Sequence, residues 1–216
     1  MTTLFPYELQ CAVCGSTSTH SDIGSSSTFG APDLDLRPAE LFRSTMPYWI
    51  QECPFCGYVS RTVADPSTIT ADWLKSEQYR SCGGIDFASN LAKKYYKYYM
   101  IKMQENILME AYLAVMRAAW SCDDANDTEN AKHCRELAIS LSEKVIGGDE
   151  REKETVRVVK ADLLRRTGQF ERLIEEYEDV SFSEELLNQI LQFQLDKAKA
   201  KDTACYTVDD VTNAAI

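Results

Sequence analysis

Residues 53–58 read Cys-Pro-Phe-Cys-Gly-Tyr, and residues 11–15 read Cys-Ala-Val-Cys-Gly. Each stretch is a CxxC turn closed by a glycine, a spacing that lets two thiolates from one tight loop reach the same ion. Gly15 and Gly57 free the backbone just after the second cysteine, so that amide N–H groups can turn toward sulfur. Two such knuckles, each beside extended segments, give the arrangement of a zinc ribbon. Cys11, Cys14, Cys53 and Cys56 are therefore the expected ligands of one zinc ion, Zn2+, in a structural role. Four thiolates fill a tetrahedral shell and leave no position for a reactive water. Two other readings stay open. One CxxC could be a redox dithiol, although such pairs usually open a helix, or iron could fill the same thiolate cage in a recombinant host.

Outward from the knuckles the sequence changes character near residue 66. Before it, Ser16 to Ser27 is rich in Ser and Thr, and Pro32, Pro38 and Pro47 exclude a long helix. Tyr48-Trp49-Ile50 and Tyr58 to Val63 are aromatic and β-branched in the manner of strands. After it, residues 67–84 read as a connector with one short helix around Ala71 to Gln78.

Helical periodicity then takes over. Leu108, Tyr112, Val115, Met116 and Ala119 share one face, and Cys134, Leu137, Ala138, Leu141 and Val145 a second. Gly147-Gly148 should stop that helix, with Asp149 as the next N-cap. Val156, Val159 and Leu163 mark a third face, and Gly168 separates it from Phe170, Leu173, Ile174 and Tyr177. Leu186, Leu187, Ile190, Leu191 and Leu195 form a fifth. Short loops between these helices imply antiparallel hairpins. The expected fold class is mainly α with a small β-rich zinc ribbon. The expected organisation is a ribbon-like domain over 1–66, the connector over 67–84, a tetratricopeptide-like helical domain over 85–200 and a C-terminal tail over 201–216.

Composition bounds the function. Hydrophobic residues make up 44 % of the 216, which permits a buried core. The formal charge of −11 repels a phosphate backbone, so nucleic acid is a disfavoured partner. Met1 to Gln10 lacks the basic and apolar regions of a signal peptide, and no stretch reaches a membrane span of about 18 apolar residues. With eight cysteines and no export signal, the expectation is a cytoplasmic protein in a reducing compartment.

Among the other cysteines, Cys134 reads as core, while Cys82 beside two glycines is the candidate for an exposed thiol. Neither His20 nor His133 has the neighbours of a catalytic triad. Tyr95, Tyr96, Tyr98 and Tyr99, with Lys93, Lys94, Lys97 and Lys102, form the one basic aromatic segment, which would be the place for stacked bases or, on a helix, a packing face. The acidic runs Asp123 to Asp127 and Glu175 to Glu178 read as solvated.

Two resemblances follow from these residues. Ala161, Leu164, Gly168, Phe170, Leu173 and Tyr177 resemble part of a tetratricopeptide hairpin, although Arg157 stands where an aromatic is usual. The two knuckles, together with Asp35-Leu36-Arg37-Pro38 and Ala118-Ala119-Trp120, resemble a bacterial family of uncharacterised proteins, a domain of unknown function. In that family an N-terminal zinc ribbon with CPxCG-like knuckles precedes tetratricopeptide-like helices. Ala12 here replaces the usual proline. The resemblance implies an architecture and no activity.

The function expected from all of this is a zinc-binding, non-enzymatic module that binds a protein or peptide, since stacked hairpins offer concave surfaces and no catalytic constellation is apparent. The alternatives are a nucleic-acid-associated ribbon and a thiol redox enzyme.

Overall fold

The computed structural model describes residues 2–145 and 148–214. The chain forms two compact units, one comprising Met1–Thr28 and Glu40–Cys134, the other Phe29–Ala39 and Arg135–Ile216. Helices dominate, and among the described residues the strands make two small antiparallel two-stranded sheets. The fold is mainly α with a small β region, as the sequence predicts. No helix among the described residues is long and apolar enough to cross a membrane.

In the first unit, β1 (Thr3–Gln10) pairs with β2 (Thr17–Ser25), and Cys11 to Ser16 is the connection between them. The Ser- and Thr-rich stretch thus forms a strand longer than its composition suggests, because it is zipped to β1 through pairs such as Leu4↔Ile23 and Tyr7↔His20. Pro6 lies in β1, which bonds to one neighbour only; proline is tolerated on such an edge. The strand expected at Tyr48 to Ile50 is displaced. A 3-10 turn occupies Arg43–Tyr48, with Pro47 inside it and Thr45 Oγ1 donating to the Phe42 carbonyl at 2.7 Å. The strands that remain are short, β3 (Gln51–Glu52) and β4 (Val59–Ser60), and the second knuckle joins them.

The connector holds two short helices, α1 (Ala71–Leu74) and α2 (Glu77–Arg80), where one was expected. The split follows from two caps in succession, Thr70 and Ser76, each accepting an amide three residues on. Then α3 (Asn90–Gln104) packs on α4 (Leu108–Asp124) across a three-residue loop. The predicted apolar face of α4 is realised, with Tyr112, Val115, Met116 and Ala119 buried. Next comes α5 (Thr128–Ser142), in which Cys134, Ala138 and Leu141 are buried and the boundary between the units falls.

In the second unit, Asp149 caps α6 (Glu150–Arg166) through its carboxylate, 2.9 Å from the Glu152 amide. Gly148 has a left-handed φ of +89°, whereas Gly147 lies outside the described residues. Gly168, at φ +78°, turns the chain into α7 (Phe170–Tyr177), and α8 (Glu185–Lys199) packs on both α6 and α7. A short α9 (Val208–Ala214) follows. Leu186, expected in the core, is exposed, and Gln194 takes a core position on the same helix. Gln194 is held there by Arg165 of α6, fully buried, whose Nε donates to Gln194 Oε1 and whose Nη2 pairs with Asp162 at 2.8 Å. Phe29–Ala39 belongs to this unit. Its Leu34 amide bonds to the Tyr206 carbonyl at 2.9 Å, and buried Asp35 meets Arg166 at 3.0 Å. Arg157 sets its guanidinium over Phe182, 5.6 Å from the ring centre, while its carbonyl accepts the Tyr177 hydroxyl at 2.8 Å.

Candidate metal centre

Each knuckle begins where a strand ends, and the two are built alike. The amide of Gly15 bonds to the Cys11 carbonyl and that of Gly57 to the Cys53 carbonyl, both at 2.9 Å. The Cys11 amide reaches the Ser16 carbonyl at 2.9 Å, and the Cys53 amide reaches the Tyr58 carbonyl at 2.8 Å. These bonds fold four residues so that both sulfurs of a pair face one point. The left-handed glycines, at φ +72° and +75°, make the reversal possible. Alanine at position 57 meets no atom within 4 Å, so its cost is conformational. Gly57→Ala should lower the unfolding free energy by about 1–2 kcal/mol in urea titration. An unchanged midpoint would contradict this account of the turn.

Contacts between the hairpins bring the pairs together. Gln51 Nε2 donates to the Tyr7 hydroxyl at 2.7 Å, and Gln51 Oε1 accepts the Val63 amide at 3.0 Å. The Ala12 amide bonds to the Val63 carbonyl at 2.9 Å. From the helical side, the Tyr79 hydroxyl donates to the Gly57 carbonyl at 2.6 Å, and Lys97 of α3 pairs with Glu52 at 2.8 Å.

The result is a compact cluster in which the ligand atoms of Cys11, Cys14, Cys53 and Cys56 all lie within 4.8 Å of one another. Cys11 Sγ is 3.7 Å from Cys56 Sγ, and Cys14 Sγ is 3.6 Å from Cys53 Sγ. A tetrahedron with Zn–S bonds of about 2.3 Å has edges of about 3.8 Å. These two contacts run across the knuckles, at the separation a shared ion demands and far beyond a disulfide bond of about 2.05 Å.

Cys11 and Cys53 are buried, Cys56 is half-buried and Cys14 is exposed. Burial pushes the Cys11 and Cys56 thiols up, while the hydroxyl and amide of Ser16 hold Cys14 down to about 6. A divalent cation among the sulfurs would supply the charge that the buried thiolates lack. The donor set fits such an ion: four thiolates, tetrahedral spacing and a closed shell.

The remaining candidates separate clearly. Cys82, read as exposed, is fully buried, and burial raises its thiol; Cys122 and Cys134 are buried as well, and Cys205 is exposed. The basic aromatic segment is helix α3, and its groups serve the fold. Tyr95 is buried with its hydroxyl on the Met46 carbonyl at 2.7 Å, Tyr98 donates to Glu110 at 3.1 Å, and Lys102 pairs with Glu105 at 2.7 Å. In the acidic runs, Asp127 accepts the Ala88 amide at 2.9 Å, and Glu176 pairs with Lys160 at 2.7 Å and Arg172 at 2.6 Å. Sequence reading overlooked Gln51, whose type carries no metal signal and whose partners are set by pairing alone.

No protein-family model, no curated protein and no solved structure matches this chain.

Proposed function

We propose that Cys11, Cys14, Cys53 and Cys56 bind one zinc ion in a structural role, and that the chain is a non-enzymatic module that binds a protein or peptide. The observation that carries the metal assignment is the sulfur cluster, with inter-knuckle contacts of 3.6 and 3.7 Å. Zinc in this cage links the two hairpins and, with its shell filled by sulfur, activates no water. Its thiolates come from hairpin turns and not from a helix start, which favours a clasp over a redox dithiol.

The interaction role rests on the helices. Packed α6, α7 and α8 are consistent with tetratricopeptide-like hairpins, whose surfaces suit peptides. The tyrosines and lysines of α3 that could have stacked bases are largely engaged in packing and ion pairs, and the charge of −11 opposes a phosphate backbone. Elemental analysis of purified protein should give one zinc per chain. A strong chelator should remove it and broaden or abolish the melting transition of the first unit. A chain that is metal-free as purified, yet melts cooperatively and at the same temperature in chelator, would overturn the proposal.

A further inference from the structure

In the first unit, a cleft of about 320 Å³ is bordered by Thr19, His20 and Ser21 of β2 and by Ile50, Gln51 and Glu52 at β3. Successive side chains of a strand take opposite faces, so three residues in a row border a cleft along the strand's edge. β1 covers one edge of β2, and the cleft lies along the other. The phase of the ladder fixes where the main chain points. Pro6 of β1 stands opposite Ser21, and a proline has no N–H to exchange. Pro6 and Ser21 are therefore a non-hydrogen-bonded pair, and the N–H and C=O of Ser21 point away from β1. Thr19, two residues earlier, points the same way. Among the described residues, nothing bonds to the main chain of Thr19 or Ser21. Beyond them the edge closes, since Asp22 Oδ1 takes the Ile23 amide at 2.8 Å. β3 repeats the pattern. The Cys53 amide bonds to the Tyr58 carbonyl, so Glu52, one residue before, turns its main chain away from β4.

We infer that this cleft takes one extended peptide segment as an added β-strand, bonded main chain to main chain with Thr19 and Ser21. Open N–H and C=O groups at strand spacing match an extended backbone and no other common ligand. One lysine, Lys94, and one glutamate, Glu52, border the cleft, so charge does not select the occupant. At a rise of about 3.3 Å, a strand spacing of about 4.8 Å and a layer of about 10 Å, one strand residue fills about 160 Å³. The cleft therefore encloses a short single strand, whereas a second copy would bring the β1–β2 ribbon, two strands wide. The inference rests on the proposed binding role and names a site for it in the first unit.

The test uses the full chain, 15N-labelled, with its zinc content measured in every sample. The probe is acetyl-Thr-Val-Thr-Val-Thr-amide, beside two analogues N-methylated at both valines or at all the threonines. At saturation the parent peptide should slow hydrogen exchange at the Thr19 and Ser21 amides by at least about tenfold. At least one analogue should bind at least about tenfold more weakly, because alternate amides of a strand face the same neighbour. Ser21→Ala should bind like the unaltered protein, since the bonds are to the main chain. Ser21→Pro removes an N–H that the β1 ladder does not use, so it should keep its zinc and its melt yet lose at least about tenfold in affinity. Equal binding of all the peptides, or unchanged binding by Ser21→Pro, would overturn the inference. So would protection of the same amides that grows with protein concentration without peptide, which would assign the edge to a second copy. Binding that protects amides of α6, α7 or α8 instead refutes the edge and leaves the binding role standing. Zinc-loaded protein that binds none of the peptides refutes the strand site and leaves the metal assignment. Folded, metal-free protein with Thr19 and Ser21 protected refutes the metal assignment and leaves the strand site.

Discussion

Serine in place of Cys53 is expected to abolish zinc binding and the cooperative folding of Met1–Thr28 and Glu40–Cys134. Cys53 is 1 % exposed, and its sulfur lies 3.6 Å from that of Cys14 in the opposite knuckle. A hydroxyl there is a poor ligand and leaves three thiolates crowded around an incomplete shell. Structural zinc contributes roughly 10–16 kcal/mol in peptides of this ligand class, against about 5–15 kcal/mol for the whole stability of a typical domain. The sheets that the proposed zinc would join are small, since β3 and β4 contribute two residues each. Metal content and a circular-dichroism melt read the outcome together. Cys14→Ser should be milder, because Cys14 is exposed and water can enter its coordination position. Cys205→Ser, at an exposed cysteine outside the cluster, should keep one zinc per chain. A Cys53→Ser protein with one zinc and an unchanged melt would contradict the clasp.

The second large effect belongs to the other unit. Arg165→Ala should lower its stability by about 3–5 kcal/mol, the cost of leaving a buried carboxylate without its cation. Arg165 is fully buried; its Nη2 pairs with Asp162 at 2.8 Å, and its Nη1 donates to the Asp202 carbonyl at 2.8 Å. Its guanidinium also lies over the Tyr206 ring, 5.2 Å from the centre. Once it is gone, Asp162 keeps Gln194 Nε2 at 3.0 Å as a neutral partner. Removing both charges, as in Asp162→Asn with Arg165→Met, should cost less than Arg165→Ala alone, because no charge is stranded. Urea unfolding measures both. A loss for Arg165→Ala below about 1 kcal/mol, the range of an exposed pair such as Arg172–Glu143, would show that the cluster does not govern this unit.

These cases also mark what could be read from residues alone. The metal-ligand candidates were legible because the chemistry is local: two CxxCG turns specify their own geometry, and only the meeting of the two was left to the fold. Helix starts and stops were legible for the same reason, as Asp149 and Gly168 show. What escaped depends on partners distant in sequence. β2 forms from serines and threonines because β1 pairs with it, so its strand character is not in its own composition. Gln194 is buried because Arg165 reaches it from α6, an effect no apolar periodicity records. Asp35 finds Arg166 across 131 positions.

The most direct test of the central claim is zinc-edge X-ray absorption on the purified full chain. The account predicts a single shell of four sulfur scatterers at about 2.3 Å. A shell containing nitrogen or oxygen, or fewer than four sulfurs, would contradict the assignment of Cys11, Cys14, Cys53 and Cys56 as one closed site.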